Sequence, residues 1–197
     1  MSTYRKRIST PLIGILLLAL AGCVNIFNPP TFKDGGSPIV RGNNNPRSVL
    51  ENLEVSYNQQ DIDLFKNCLS ESFRFVLLAS EAESIGVDMD GDGIKDSWWD
   101  YHKEVEYHRN LFTDGSSDGS FPPPDNIHLN LQIPQEEFWL TDNQEGREDW
   151  IIIPVYFQLN LTVYTSSNIS ADGFARFYLR PEGEEWRIVI WRDESNI

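Results

Sequence analysis

Trp150-Ile-Ile-Ile-Pro-Val-Tyr-Phe-Gln-Leu-Asn-Leu-Thr-Val-Tyr164 is the stretch that decides the fold class. Ile151, Ile153, Val155, Phe157, Leu159, Leu161 and Val163 occupy every second position, so one long strand carries an unbroken apolar face. A helix would scatter the same residues around its axis. Gln158, Asn160 and Thr162 alternate with them and give the strand a wet side. The same period precedes it, where Ile127, Leu129, Leu131 and Ile133 alternate with His128, Asn130 and Gln132. It returns in Phe174–Arg180 and Trp186–Arg192, two strands joined as a hairpin through Pro181-Glu-Gly-Glu-Glu185.

Upstream the period lengthens. Asn45-Pro46 supplies an N-cap and a proline at the first helical position, and Val49, Leu50, Leu53 and Tyr57 form one helical stripe. Asn58-Gln-Gln60 breaks the stripe, and Asp61 caps a second short helix holding Leu64, Phe65, Cys68 and Leu69. Ser72–Leu78 reads as a strand, and residues 79–96 as an acidic loop with three glycines. Ser97-Trp-Trp-Asp100 has capping-box spacing and predicts a third helix with Trp98, Tyr101, Val105 and Phe112 near one face. Thr113–Asp125, with Pro122-Pro-Pro124, is a connection. Helices segregated from antiparallel hairpins make an α+β domain. A β-sandwich is the rival, and three helical segments count against it.

Two patterns carry a resemblance. Leu53-x-x-x-Tyr57-x-x-x-Asp61-x-x-x-Phe65 and Trp186-Arg-Ile-Val-Ile-Trp191 resemble the opening helix pair and closing strand of the nuclear transport factor 2-like superfamily, including its polyketide-cyclase-like branch. The resemblance spans residues 46–193. It implies a cone: a bent antiparallel sheet wrapped around three helices, with a pocket at the open end. The family's enzymes use one or two pocket carboxylates or histidines as general acid and base. The cone also hosts non-catalytic members, so the fold alone assigns no activity.

The N-terminus is an address. Arg5-Lys6-Arg7 precedes an apolar run of 11 residues, Pro11 to Ala21, which is shorter than the ~20 a spanning helix needs. Leu20-Ala21-Gly22-Cys23 resembles the lipobox of bacterial lipoproteins. That resemblance implies a signal peptide over residues 1–22 and acylation of Cys23, which would hold the protein on a membrane of the bacterial envelope. Residue 24 is Val rather than the Asp of inner-membrane retention, so the outer membrane is the default. Residues 23–45, rich in Pro, Gly and Asn, then form a tether to a domain over residues 46–197. With Cys23 acylated, Cys68 is left as a buried structural thiol.

The chain has 197 residues, with 16 Lys and Arg against 30 Asp and Glu, a formal charge of −14. Nucleic acid is excluded as a partner, because phosphate contacts need clustered cations. No HExxH, nucleophile elbow, phosphate loop or Cys/His zinc cluster is present. Of the histidines, His108 lies on the Tyr101/Val105/Phe112 side of the third helix and is the catalytic candidate, while His102 points elsewhere and His128 lies on a polar strand face. Asp61 reads as a helix cap. Glu136, Glu137, Asp142, Glu145, Glu148 and Asp149 form a solvated acidic connection. The aromatic strand residues read as core or as a sheet face open to a homodimer.

Asp88-Met-Asp90-Gly-Asp92-Gly-Ile94-Lys-Asp96 resembles the first nine positions of an EF-hand loop, with glycine at the sixth. It predicts a weak calcium site using Asp88, Asp90, Asp92 and Asp96 side chains and the Ile94 carbonyl. The twelfth position is Trp99 rather than Glu, which removes the usual bidentate ligand. Two functions follow: a lipid-anchored, non-catalytic domain that binds a small molecule or a protein, or a small lyase or isomerase using His108 or an unassigned pocket carboxylate for proton transfer.

Overall fold

The computed structural model describes residues 40–163 and 167–195. The signal peptide, Cys23 and the tether up to residue 39 lie outside the described residues. Among the described residues, no helix is long and apolar enough to cross a membrane.

Helix α1 (Pro46–Gln59) starts as its sequence dictates. The Asn45 side chain accepts from Ser48 N while Ser48 Oγ accepts from Asn45 N. Its stripe of Val49, Leu50, Leu53 and Tyr57 is buried. Gln60 ends it in the left-handed region, φ 54°. Its side-chain amide then donates to Phe112 O and Pro124 O, which ties a distant connection to the helix end. Asp61 caps α2 (Ile62–Cys68) by accepting from Asp63 N and Leu64 N, a contribution of ~1 kcal/mol. Cys68 is fully buried, and burial pushes its thiol up to about 12.

The remaining elements are β1 (Leu69–Val76), α3 (Ala82–Ile85), β2 (Trp98–Asp100), α4 (Tyr101–Arg109) continued by a π-helical turn (Asn110–Asp114), β3 (Asn126–Gln132), a 3₁₀ turn (Glu136–Phe138), β4 (Leu140–Thr141), β5 (Ile151–Val163), β6 (Ser167–Glu182) and β7 (Glu185–Asp193). One curled sheet runs β2-β1-β7-β6-β5-β3, with β4 on β5. It is mixed rather than purely antiparallel, because β1 and β7 run parallel. The apolar face of β5 faces inward as its period requires: Ile153 and Val155 are buried, and Ile151, Phe157, Leu159 and Leu161 pack on the core. Phe177, Leu179 and Ile188 extend that face across β6 and β7 onto α1 and α2.

Four expectations change. Trp98–Asp100 is a strand, not the first turn of a helix: Ser97 O accepts from Leu77 N, and Trp99 lies opposite Phe75 with the rings stacked at 4.4 Å. The helix starts at Tyr101, and Asp100 is its cap, accepting from Lys103 N. Leu69 begins β1 rather than ending α2. Strand β6 begins at Ser167, well before Phe174, because residues 167–173 pair in unbroken register with Val163 to Phe157. Residues 41–45, which composition assigns to the tether, are docked: Asn43 is buried, its side chain donates to Asn67 O, and its carbonyl accepts from Trp186 N.

Candidate functional site

Three places could carry function. The first is a polar chain inside the cone. Helix α1 supplies Tyr57, and α4 supplies Glu104 and His108 one turn apart. His108 Nδ1 lies 3.0 Å from Glu104 O, and a carbonyl can only accept, so Nδ1 carries the proton. Nε2 is then the acceptor for the Tyr57 hydroxyl. The Glu104 carboxylate accepts from the Trp99 indole N–H. Phe65 stacks on the His108 ring at 3.9 Å and Phe112 packs edge-on, so the chain is walled by aromatics.

Burial sets the protonation states. It raises Glu104 to about 7, opposed by the Trp99 hydrogen bond, and lowers His108 to about 4, opposed by the bond to the Glu104 carbonyl. Tyr57 is raised well above its ordinary value, first by burial and then by Glu104. The 3.5 Å approach of Glu104 Oε1 to His108 Nδ1 is therefore no ion pair at mildly acidic pH, where both groups are neutral. His108, the histidine selected from the sequence, thus stands on the interior face. His102 and His128 are exposed. Glu104 and Trp99 were missed, although Glu104-x-x-x-His108 spacing on one helix was the available signal.

The second place is an apolar groove of about 490 Å³ between the 110–124 connection and the far ends of β5 and β6. Leu111, Phe121, Pro122, Leu161, Val163 and Ile169 line it, with Asn110 and Ser116 as polar members. Among the described residues, no ionisable side chain lines it, and none of the interior polar chain reaches it. Gly115 holds the connection shut at φ 79°, where a Cβ would lie 2.4 Å from Phe121 O. Composition marks this segment only as a connection, so sequence reasoning did not find the groove.

The third place is the acidic loop. Asp88 accepts from Gly91 N and Gly93 N, and Asp96 accepts from Met89 N. One carboxylate oxygen from each of Asp88, Asp90 and Asp96 lies within 4.8 Å of the others. Asp92 falls outside that group and accepts from Ile94 N instead. Lys95 turns away to Glu83 O and Ser84 O. Asp61 serves as the cap described above. Asp142, of the second acidic stretch, is buried beside Arg147 rather than solvated.

No family model and no curated protein sequence matches the chain. Solved structures do. A provisionally named aromatic ring hydroxylase from Novosphingobium aromaticivorans superposes with a TM-score of 0.50 at 13% identity, over 77% of this chain and 86% of its own. A protein from Kribbella flavida gives 0.51 at 9% identity, over 77% and 88%. A provisionally named calcium/calmodulin-dependent protein kinase type II association domain from Thiobacillus denitrificans gives 0.50 at 10% identity, over 80% and 99%. The fold is nuclear transport factor 2-like. At such identities the likeness concerns the fold alone. What the nuclear transport factor 2-like cone does in this chain must come from its own residues.

Proposed function

We propose that the protein is a lipoprotein of the bacterial envelope, anchored through acylated Cys23, whose cone is a non-catalytic binding domain. The groove under Phe121 carries this reading. It is large enough for a small apolar molecule or a few apolar side chains, and among the described residues its lining holds no acid or base for proton transfer. The interior chain supports the same reading, since Tyr57, His108 and Trp99 each spend a polar atom on another member and all of its members are buried. The neutral dye N-phenyl-1-naphthylamine tests the groove. Its fluorescence should rise with the full chain in detergent, and Phe121→Asp should weaken binding at least tenfold. Equal binding by both would defeat the reading. The anchor is tested by metabolic labelling with an alkyne fatty acid, expected in wild type and lost in Cys23→Ala.

A second reading rests on the Tyr57–His108 pair, which has the make-up of an acid–base dyad. A lyase or isomerase reaction there requires the Phe65 and Phe112 wall to open. The acidic loop is proposed as an accessory calcium site on Asp88, Asp90 and Asp96, weak because it lacks a bidentate twelfth ligand.

A further inference from the structure

Among the described residues, strand β3 and the first half of β6 each leave a backbone edge without a strand neighbour, and the fold treats the two edges differently. On β3, Leu129 and Leu131 turn their backbone groups away from β5 toward α1. Asn58 Oδ1 accepts from Leu129 N at 2.7 Å and Asn58 Nδ2 donates to Leu129 O at 3.0 Å. Glu54 Oε2 accepts from Leu131 N at 2.7 Å. Side chains of one helix therefore occupy that edge.

On β6, pairing with β7 begins at Ala175, and Glu194 N donates to Phe174 O at 2.9 Å. Backbone groups alternate sides along a strand, so Asp172, Ser170 and Asn168 point theirs the same way as Phe174. Among the described residues, no strand pairs with them on that side. The stretch 168–172 has no proline, lysine or bulge, the devices that blunt an edge. Its inner side chains are small or open: Ile169, opposite Leu161, is 57% exposed and lines the groove, and Ala171 lies opposite Leu159. Charge selects among strands that could pair here. Asp172 stands on the edge, its carboxylate accepting from the Tyr156 hydroxyl at 2.5 Å, and the chain carries −14; Glu194, just past β7, is paired with Arg176. A second copy would bring like charges together, whereas a cationic strand would not.

We infer that residues 168–172 of β6 receive an extended strand from a partner polypeptide, with Lys or Arg on its outer face and apolar side chains toward the groove. This rests on the binding-domain reading and names the partner class. Backbone hydrogen bonds hold the strand and alternate side chains select it.

The probe is a fluorescein-labelled Lys-Ile-Lys-Val-Lys-Ile peptide, followed by anisotropy with the full chain in detergent. Two isomers, N-methylated on odd or on even residues, lose donors on opposite edges of the peptide. One should bind at least tenfold more weakly and the other like the parent. Ser170→Pro should also cost at least tenfold with an unchanged melting temperature, because the Ser170 N–H points off the β5 ladder. Replacing Lys by Glu in the peptide should abolish binding. The inference is overturned if both isomers bind within twofold of the parent, if the Glu peptide binds equally, or if the parent does not bind at millimolar concentration. Self-association abolished by Ser170→Pro would overturn it in favour of a second copy. The dye assay on Phe121→Asp reads the groove without any strand, so the failure of one reading is distinguishable from the failure of the other.

Discussion

The chain of Tyr57, His108 and Glu104 and the groove under Phe121 sit in one cone and differ in what they leave open. The chain has chemistry and no room: its donors meet acceptors inside the protein, behind Phe65 and Phe112. The groove has room and, among the described residues, no ionisable lining. Buried polar groups that are fully paired fix helices in place, whereas an open apolar surface is left for something else to cover. The proposed binding-domain reading rests on this contrast, with scaffolding at the histidine and recognition at the groove, and the contrast can be broken in several ways.

The largest effect tests whether the groove is a continuation of the core. Leu159 packs on the core face that runs into the groove, and Gln158 is exposed on the other side. Leu159→Asp should cost about 3 kcal/mol or more in denaturant unfolding, and Gln158→Asp close to nothing. Equal losses would mean that the two faces are misassigned.

The next tests the interior chain through pH. From pH 4.5 to 7 the unfolded chain has lost the Glu104 proton that the folded chain keeps, so this group's contribution falls as pH rises. From pH 4 to 6.5 the unfolded chain holds a His108 proton that the folded chain lacks, so that contribution rises with pH. In wild type the two slopes oppose each other across the overlap. Relative to wild type, the stability of Glu104→Gln should rise by up to about 1.4 kcal/mol per pH unit between about pH 4.5 and 7, the window of the falling contribution it removes. Relative to wild type, the stability of His108→Gln should fall with a similar slope between about pH 4 and 6.5. Parallel profiles for both variants would show that the pair is not buried in neutral form.

Smaller still is the direct test of the groove. Phe121 is 64% exposed, so Phe121→Asp should leave the melting temperature within ~2 °C of wild type while weakening the dye tenfold. Dye loss with a collapsed melting temperature would make Phe121 part of the core instead. The smallest effect belongs to the acidic loop. At 1 mM calcium, a site with Kd of ~10⁻⁴–10⁻³ M adds about 0.4–1.4 kcal/mol. That shifts the melting temperature by ~1–5 °C, and the shift should vanish in Asp88→Asn.

What the sequence makes legible here is whatever a local period or cap specifies. The alternation from Ile151 to Val163, the Asn45 and Asp61 caps and the buried Cys68 all depend on neighbours in the chain. Trp98 and Trp99 were misread because their partners, Val76 and Phe75, lie on another strand, and pairing across a sheet overrides a four-residue capping pattern. The first half of β6, Ser167 to Gly173, has weak strand composition, and its conformation comes from β5 alongside it. The interior chain was half visible: His108 stood out by residue type, but its partner Tyr57 is 51 positions away. The groove was not visible at all, since a proline-rich connection closes it over strands from another part of the chain.

The Asn58 and Glu54 contacts to β3 also impose an order on folding. Until α1 docks, Leu129 and Leu131 present bare amides beside an apolar strand, a template for a neighbouring chain. An early α1, helped by its reciprocal Asn45–Ser48 cap, keeps that interval short. Losing the Asn58 and Glu54 side chains should therefore show first as aggregation during refolding at high protein concentration, before it shows as instability of the folded state.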